Sequence, residues 1–494
     1  LKLARLAEAA QMDAGDFGDA HVTGFAIDHR KVAPGTVFGA FQGTVANGER
    51  FIPEAVAAGA VAVVARPQAQ VTGAAHLADP QPRRAFARLA AQFFRPVPDT
   101  VVAVTGTNGK TSTVEMTRQL WRACGERAAS IGTLGVTTAD ESVSTGLTTP
   151  DIVTFLANMT GLAREGVTHV AYEASSHGLS QYRNEGLPVA AAAFTNLSRD
   201  HLDYHADMED YFAAKMRLFA EVVDQTGTAV IWADDPWSGR AIEEARTRGL
   251  RLFTVGERAQ GPSGIRLLSR SPGQLGQELE LELLPEQGGA RRRVVLPLIG
   301  AYQAANALVA AGLVLATGGD LDQVLDALAR LQPVRGRLER AAITGGGAPV
   351  YVDYAHTPDA LGAAIAALRP HVTGRLITVF GAGGDRDIGK RAPMGEVAAA
   401  GSELVIVTDD NPRGEDAASI RLQVLAGAPH AREVADRRQA IRAALAEAAD
   451  GDIVLIAGKG HEQGQIVGAG ESLRVLPFDD VTVVRECAAE HAKA

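Results

Sequence analysis

Twelve residues, Val101 to Ser112, restrict what this chain can fold into more than any others. A β-branched run, V-V-A-V-T, drops straight into G-T-N-G and then Lys110-Thr-Ser. A helical spacing of Val114, Thr117, Leu120, Trp121 and Cys124 follows at once. Strand, glycine turn and helix in immediate succession form the repeating unit of α/β domains. Gly106 and Gly109 let backbone N–H groups converge on phosphate oxygens, and the new helix aims its positive dipole end at the same place. Lys110 can then reach the terminal phosphates while the Thr111 hydroxyl binds Mg²⁺. The common pattern G-x-x-x-x-G-K-[ST] would put its first glycine at Val104, but here the loop is tightened to Gly106-Thr-Asn-Gly109. The expectation is a nucleoside triphosphate site of an unusual subtype.

At 494 residues the chain is too long for one core. Its net charge of −10 rules against a nucleic-acid protein, and the one compact basic run, Arg291-Arg292-Arg293, reads as a solvated strand edge. Any groups that bind anionic ligands must therefore be few and placed. Cys124 and Cys487 are distant and lack a C-x-x-C context, which suits a reducing compartment without disulfides or zinc. The first ten residues lack the apolar core of a signal peptide, and the most apolar stretch, Ala307 to Thr317, is too short to span a bilayer. A cytoplasmic protein with no membrane insertion is expected.

Three segments are expected. Residues 1–95 hold short strands such as Val61 to Ala65 and turn clusters, and end at the linker Arg95-Pro-Val-Pro98. Residues 96–332 alternate apolar runs (Val167 to Glu173, Ala190 to Asn196, Thr228 to Trp232) with helical patterns, which implies a mostly parallel sheet with helices on both faces. A second hinge is expected at Gln332 to Gly336, and residues 333–494 repeat the alternation with strands at 350–353, 376–380, 404–408 and 452–457. These strands run into polar or glycine-rich turns: Asp353 to Pro358, Gly381 to Arg386, Asp409 to Arg413 and Gly458 to Glu462. In open α/β sheets ligands bind beyond the carboxyl ends of strands, so these turns are site candidates.

Three further stretches carry chemistry. Glu173, at the end of an apolar strand and followed by Ala-Ser175-Ser176-His177, is placed to hold the Mg²⁺ that Thr111 touches, although Ser175 or Ser176 could equally be a helix N-cap. His201 and His205 stand at the i, i+4 spacing of a helical zinc pair, but no Glu follows His201 and no third ligand is evident, so a second metal beside phosphate is the better use of His201. Lys215 lies on an amphipathic helix, where the residues alone favour a snorkelling surface lysine.

In order along the chain stand T-G-T-N-G-K-T-S, E-A-S-S-H-G-L, F-T-N-L-S-R-D-H-L-D-Y-H, A-A-K, G-R-L-E, D-Y-A-H-T-P-D, G-G-D-R-D-x-G-K-R, D-N-P-R-G-E and A-G-K-G-H-E. Together they strongly resemble the Mur ligases of peptidoglycan synthesis, in the branch that adds a diamino acid to UDP-N-acetylmuramoyl-L-alanyl-D-glutamate. The resemblance covers essentially the whole chain. It implies an N-terminal UDP-binding α/β domain, a central ATPase domain and a C-terminal Rossmann-like domain that binds the amino acid. It further implies that ATP phosphorylates the D-Glu γ-carboxylate and that an amine attacks the acyl phosphate, giving an amide, ADP and phosphate.

Site roles follow from the same resemblance. Gly106, Thr107, Asn108, Gly109, Lys110, Thr111 and Ser112 cradle the ATP phosphates; Thr111, Glu173 and His201 serve two Mg²⁺ sites; Lys215 takes the place of a carbamylated lysine. Gln303 and Asn306 face adenine, where the family more often has Asn at the first position. Arg337 reaches phosphate and Asp353 ribose. Thr148, Thr149, Ser175 and Arg183 hold the muramyl dipeptide, and Asp28-His29 stands where the family has D-S, so the UDP contact there is altered. Arg386 and Arg413 offer planar forks for a carboxylate, while Asp410, Asn411 and Glu462, beside Gly458, offer acceptors for an ammonium. A diamino acid with both groups at its far end, meso-diaminopimelate, satisfies both sets; L-lysine and L-ornithine lack the distal carboxylate. The enzyme is expected to be a monomer. The rivals are a folylpolyglutamate-synthetase-like ligase, which would lack D-N-P-R-G-E and the UDP domain, an ATP-driven switch protein, which would not need the third-segment pocket, and an inactive homologue, against which the intact Lys110, Glu173, His201 and Lys215 argue.

Overall fold

The computed structural model describes residues 1–43, 47–139, 142–143, 148–200 and 204–491. The chain forms two compact units: the first comprises Leu1–Arg266, Leu284–Gly288 and Leu308–Val324, the second the remainder.

Two sheets build the first unit. Strands Gly24–Ala26, Thr36–Gly39, Ala60–Ala65 and Ala75–Ala78 pair in parallel in chain order. Side chains alternate across the sheet as a two-residue period demands. Val37, Ala62 and Val64 pack on Phe86 and Leu89 of helix Pro82–Phe93, while Phe38, Val63 and Ala65 pack on Ile52 and Ala55.

The second sheet contains β1 (Thr100–Thr105), β2 (Ala128–Gly132), β3 (His169–Glu173), β4 (Ala191–Phe194), β5 (Thr228–Trp232) and β6 (Arg251–Gly256). Their order is β6-β5-β4-β1-β3-β2 and all pairs are parallel. Residues of β1, β3 and β4 are buried on both faces, which is why they read as unbroken apolar runs. Strands β2 and β3 lie to one side of β1, and β4 crosses to the other. That reversal makes the carboxyl end of β1 the point where an α/β sheet opens a crevice for ligand.

The chain passes into the second unit within the strand Gly264–Gly273, the first of a meander with Gly276–Leu283 and Arg291–Leu296. The last two pair antiparallel, an addition to the expected parallel alternation. Arg293 lies 3.3 Å from Glu278 and 3.5 Å from Glu280, so the basic run is indeed an exposed strand edge.

The C-terminal sheet holds β7 (Pro349–Asp353), β8 (Leu376–Phe380), β9 (Leu404–Val407) and β10 (Ile453–Ala457), parallel in the order β7-β10-β8-β9. Glu339–Ile343 pairs antiparallel with β7 at one edge. On one face Tyr351, Phe380, Val407 and Leu455 pack on Leu361, Leu368 and Met394. On the other, Val350, Val379, Ile406 and Ile456 pack on Ile441, Leu445 and Val484. Each such side chain contributes about 1.5–3 kcal/mol on burial. Asp353 is level with Ala457 in the register, so the polar turns after these strands collect along one edge. Among the described residues no helix is long and apolar enough to cross a membrane.

Candidate active site

In the first unit the site grows from β1. Gly106 has φ +147° and Gly109, which precedes helix Lys110–Ala123, has φ +85°, conformations that L side chains rarely adopt. A Cβ on Gly106 would also lie 1.9 Å from Thr195 Oγ1. The loop is laced to the end of the neighbouring β4. Thr195 Oγ1 donates to the Asn108 carbonyl at 2.6 Å, Asn108 N–H to Asn196 Oδ1 at 2.9 Å, and Ser198 N–H to Thr107 Oγ1 at 3.0 Å. Thr107 Oγ1 also lies 3.2 Å from Tyr211 OH. Thr195, Asn196 and Ser198 thus shape the phosphate loop, a role that sequence reasoning did not give them. The signal was positional: β4 is the strand that crosses to lie against β1.

Two lysines converge on one carbonyl. Lys110 Nζ donates to Gly106 O at 3.0 Å and Thr107 O at 2.8 Å, and Lys215 Nζ to Gly106 O at 2.7 Å. The surface-lysine expectation for Lys215 is wrong: helix Met208–Arg217 turns it inward, 1% exposed, with Nζ 4.4 Å from the Tyr211 ring centroid. Burial, reinforced by the Lys110 charge and opposed by Asp200, holds its amine well below the usual lysine range. A neutral buried amine is the form that can take up CO₂, and the resulting carbamate would be an anion.

Glu173 closes β3 opposite Val104 of β1, on the same sheet edge as the loop. Its Oε1 accepts the Thr133 N–H at 2.7 Å, and a Cβ at Gly132 would lie 2.1 Å from that oxygen, so the carboxylate depends on a glycine for room. Thr111 and Glu173 are both buried. Mg²⁺ takes oxygen ligands and keeps several waters, and a hydroxyl with a carboxylate fits that requirement. Among the described residues no three His, Cys, Asp or Glu side chains gather as metal ligands. His201 lies outside the described residues. His205 is buried, with Nδ1 3.1 Å from Asp210 Oδ2.

The four residues assigned to the muramyl dipeptide come together beside Glu173. Thr148 Oγ1 is 3.0 Å from Thr133 Oγ1, which itself donates to Glu173; Thr149 Oγ1 donates to the Glu173 carbonyl at 3.0 Å. Arg183 Nη1 donates to the Thr149 carbonyl at 2.8 Å. Ser175 does cap a helix, its Oγ accepting the Gly178 N–H at 3.0 Å, while its own N–H donates to Thr149 Oγ1. On the first sheet, Asp28 caps a short turn and pairs with Arg30, which holds its carboxyl down at about 2. His29 stacks on Phe51 with ring centroids 4.2 Å apart.

In the second unit Gln303 and Asn306 share a face of helix Ala301–Ala316, but Gln303 Nε2 donates to the Arg337 carbonyl at 2.7 Å. Asp353 accepts backbone N–H groups from Leu338 at 2.8 Å and Ala355 at 2.9 Å, and so pins the linker turn to β7. Gly336 is needed there, because a Cβ would lie 2.3 Å from His461 N. Arg337 lies over the Tyr354 ring at 5.2 Å. His461 beside it is kept neutral, its pKa pushed to about 4 by burial and by the Arg337 and Arg335 charges.

The four turns after β7 to β10 meet around Asp410. Gly458 has φ +117°, and its Cβ position is 3.3 Å from Asp410 Oδ2, so the glycine lets that carboxylate approach. Asp410 Oδ1 is buried without a hydrogen-bond partner. Arg413 has φ +51°, a strained position usually given to glycine, and is held there by its N–H to Ile466 O at 3.0 Å and its carbonyl to Gly468 N–H at 2.8 Å. A side chain kept where glycine would be easier has a use; its guanidinium flanks Gly383 together with Arg386. Asn411 departs from expectation. Its Oδ1 accepts from Lys459 and Ile466 N–H, and its Nδ2 donates to Glu462 Oε2 at 2.9 Å, so it orients an acceptor and is not one itself.

A phosphate loop beside a buried lysine whose amine is held below the usual lysine range, and strand-end turns that carry carboxylates and arginines, are what a nucleotide-dependent ligase requires. Known families agree. Residues 21–94 match the Mur ligase family catalytic domain, 104–314 the Mur ligase middle domain, and 336–460 the Mur ligase glutamate ligase domain. The chain belongs to the Mur ligase family and has its three-domain, mostly parallel α/β fold. The UDP-N-acetylmuramoyl-L-alanyl-D-glutamate–2,6-diaminopimelate ligase of Zymomonas mobilis is 60% identical to it over 468 residues, covering 95% of each chain. The enzyme of the same name from Bradyrhizobium diazoefficiens is 51% identical over 93% of each. A solved structure of a ligase of that name superposes with a TM-score of 0.76 at 32% identity, covering 99% of each chain.

Proposed function

We infer that this chain is the ATP-dependent ligase that joins meso-2,6-diaminopimelate to the D-Glu γ-carboxylate of UDP-N-acetylmuramoyl-L-Ala-D-Glu in peptidoglycan precursor synthesis. The 60% identity to a diaminopimelate ligase over nearly the whole chain carries this reading. A carboxylate acylates an amine only after one oxygen becomes a leaving group, and ATP supplies the phosphoryl that makes it one. The chain's task is to bring repelling anions together, which calls for fixed cations and oriented N–H groups.

In this reading the loop Gly106 to Ser112 presents N–H groups to the phosphates and Lys110 leaves its backbone carbonyls to neutralise them. Thr111, Glu173, His201 and Lys215 as its carbamate would hold Mg²⁺, which supplies charge neutralisation on the phosphoryl oxygens. Gln303, Asn306, Arg337 and Asp353 are assigned to the nucleotide, and Asp28, His29, Thr148, Thr149, Ser175 and Arg183 to the UDP-muramyl dipeptide. Arg386 and Arg413 fork the distal carboxylate of the diamino acid, and Asp410, with Gly458 giving it room, and Glu462 accept its ammonium. The division into 1–95, 96–332 and 333–494, a cytoplasmic location and a monomeric state belong to the same reading.

Offering meso-diaminopimelate, L-lysine and L-ornithine side by side, with the UDP-muramyl dipeptide and ATP, tests it. The expected result is a UDP-muramyl tripeptide of the mass given by diaminopimelate, with the other two poor substrates. Preference for L-lysine or L-ornithine would overturn the substrate assignment.

A further inference from the structure

The Gly458-to-Glu462 turn contains a charge that the reaction described above does not use. Lys459 is completely buried. Its Nζ donates to Asn411 Oδ1 at 2.8 Å and to the Gly464 carbonyl at 2.8 Å. It also lies 3.1 Å from Asp410 Oδ1, at an angle that makes no hydrogen bond, and 3.8 Å from Glu462 Oε2. A buried ammonium is costly unless paired, and here its partners all belong to the diamino-acid pocket or to the hairpin strand Gly464–Val467 that adjoins it.

An asparagine amide can point either way, and its neighbours decide. Lys459 Nζ and Ile466 N–H, both donors, fix the oxygen of Asn411 toward themselves. The Nδ2 group must then face Glu462, where it donates at 2.9 Å. Among these three groups Asp410 and Glu462 carry two negative charges against the one positive charge of Lys459, which leaves one for an ammonium while Arg386 and Arg413 are assigned to the carboxylate. Asp410 Oδ1, buried and ion-paired with Lys459 but without a hydrogen bond, is the atom to which such a group would donate one.

We propose that Lys459 is a positioning residue for the diamino acid: through Asn411 it sets the orientation of Glu462, and beside Asp410 it limits the pocket to a single ammonium. The proposal rests on the reading that these turns bind the diamino acid. Lys459 touches protein groups only and acts through them.

The test uses the full-length enzyme with all three substrates. Lys459→Met is expected to raise the KM for meso-diaminopimelate on the order of 10²-fold, the usual scale for truncating one partner of a buried charged hydrogen bond. KM for ATP and for the UDP-muramyl dipeptide should stay within about twofold, since none of the partners of the Lys459 ammonium is among the residues assigned to either. Asn411→Asp keeps an oxygen for Lys459 and Ile466 but removes the donor to Glu462, and is expected to raise the same KM while the protein stays folded; it decides the matter if Lys459→Met does not fold. Proportional rises in all three KM values, or an unchanged diaminopimelate KM in Asn411→Asp, would overturn the proposal. Arg413→Ala run in parallel separates the two readings. If it raises the diaminopimelate KM while the Lys459 and Asn411 variants do not, only the positioning claim fails; if it too leaves that KM unchanged, the pocket reading fails.

Discussion

The phosphate loop and the proposed diamino-acid pocket are built to hold charged ligands in opposite ways. The loop is made of backbone and hydroxyls: Thr195, Asn196 and Ser198 clamp it, and Lys110 and Lys215 both rest on the Gly106 carbonyl. The pocket is made of side-chain charge: Asp410 and Arg413 come from one turn, Lys459 and Glu462 from another, and the buried Lys459 lies 3.1 Å from Asp410 and 3.8 Å from Glu462. A backbone cradle accepts any phosphate in its reach and gives little discrimination. A pocket of fixed charges rejects a ligand that lacks the matching group, because a charge is then left without its partner. The comparison predicts that damage to the loop removes turnover without altering choice, and that damage to the pocket alters choice first.

The largest expected effect is at the loop. Lys110→Ala is expected to lower kcat by at least about 10³-fold, on the scale of losing a transition-state cation, with little change in the thermal midpoint. Phosphate release and calorimetry on the same sample check it, and near-normal turnover would break the comparison at its first half. Next comes Arg413→Ala, expected to raise the diaminopimelate KM on the order of 10²-fold and to leave the ATP KM alone. Equal changes in both would mean that the pocket is not separate from the nucleotide chemistry.

Lys215 sharpens the contrast through pH. Its folded pKa is depressed, so between that value and 10.5 the unfolded chain binds the extra proton. Stability then rises with pH across that window by up to about 1.4 kcal/mol per unit. Below the folded pKa both states are protonated and the cost of burying the cation is fully present. In CO₂-free buffer Lys215→Met is therefore expected to be more stable than the parent protein at neutral pH, and the gap is expected to narrow as pH rises toward 10. A gap that is constant with pH would contradict a neutral buried lysine. The smallest effect separates backbone from side chain at Arg413: Arg413→Gly and Arg413→Ala are expected to lose diaminopimelate binding alike, with the glycine variant more stable by about 1 kcal/mol because φ +51° suits it. Equal denaturant midpoints for the two variants would remove the strain argument.

Legibility from sequence followed the same division. The loop is local, so its strand, glycines, lysine and helix stand side by side in Val101 to Ser112, and β3, β4, β5 and the C-terminal strands are apolar runs because both faces are covered. The antiparallel meander was equally present as a two-residue period, with Leu279, Leu281 and Leu283 buried between Glu278, Glu280 and Glu282, but it falls outside an alternation of strands and helices. What depended on the fold was not legible from the residues. Nothing in Ala-Ala-Lys215 tells an inward lysine from a surface one; the fold buries it, with its amine on the Gly106 carbonyl and beside the Tyr211 ring of its own helix. Asn411 reads as one more acceptor until Lys459, 48 residues on, is seen to occupy its oxygen.

The central claim is that phosphoryl transfer at the loop serves amide formation with the diamino acid. Phosphate release measured with ATP while each other substrate is withheld in turn tests it most directly. The account predicts sustained release only when both the UDP-muramyl dipeptide and meso-diaminopimelate are present, with one tripeptide formed per phosphate. ATP turnover indifferent to both would contradict it.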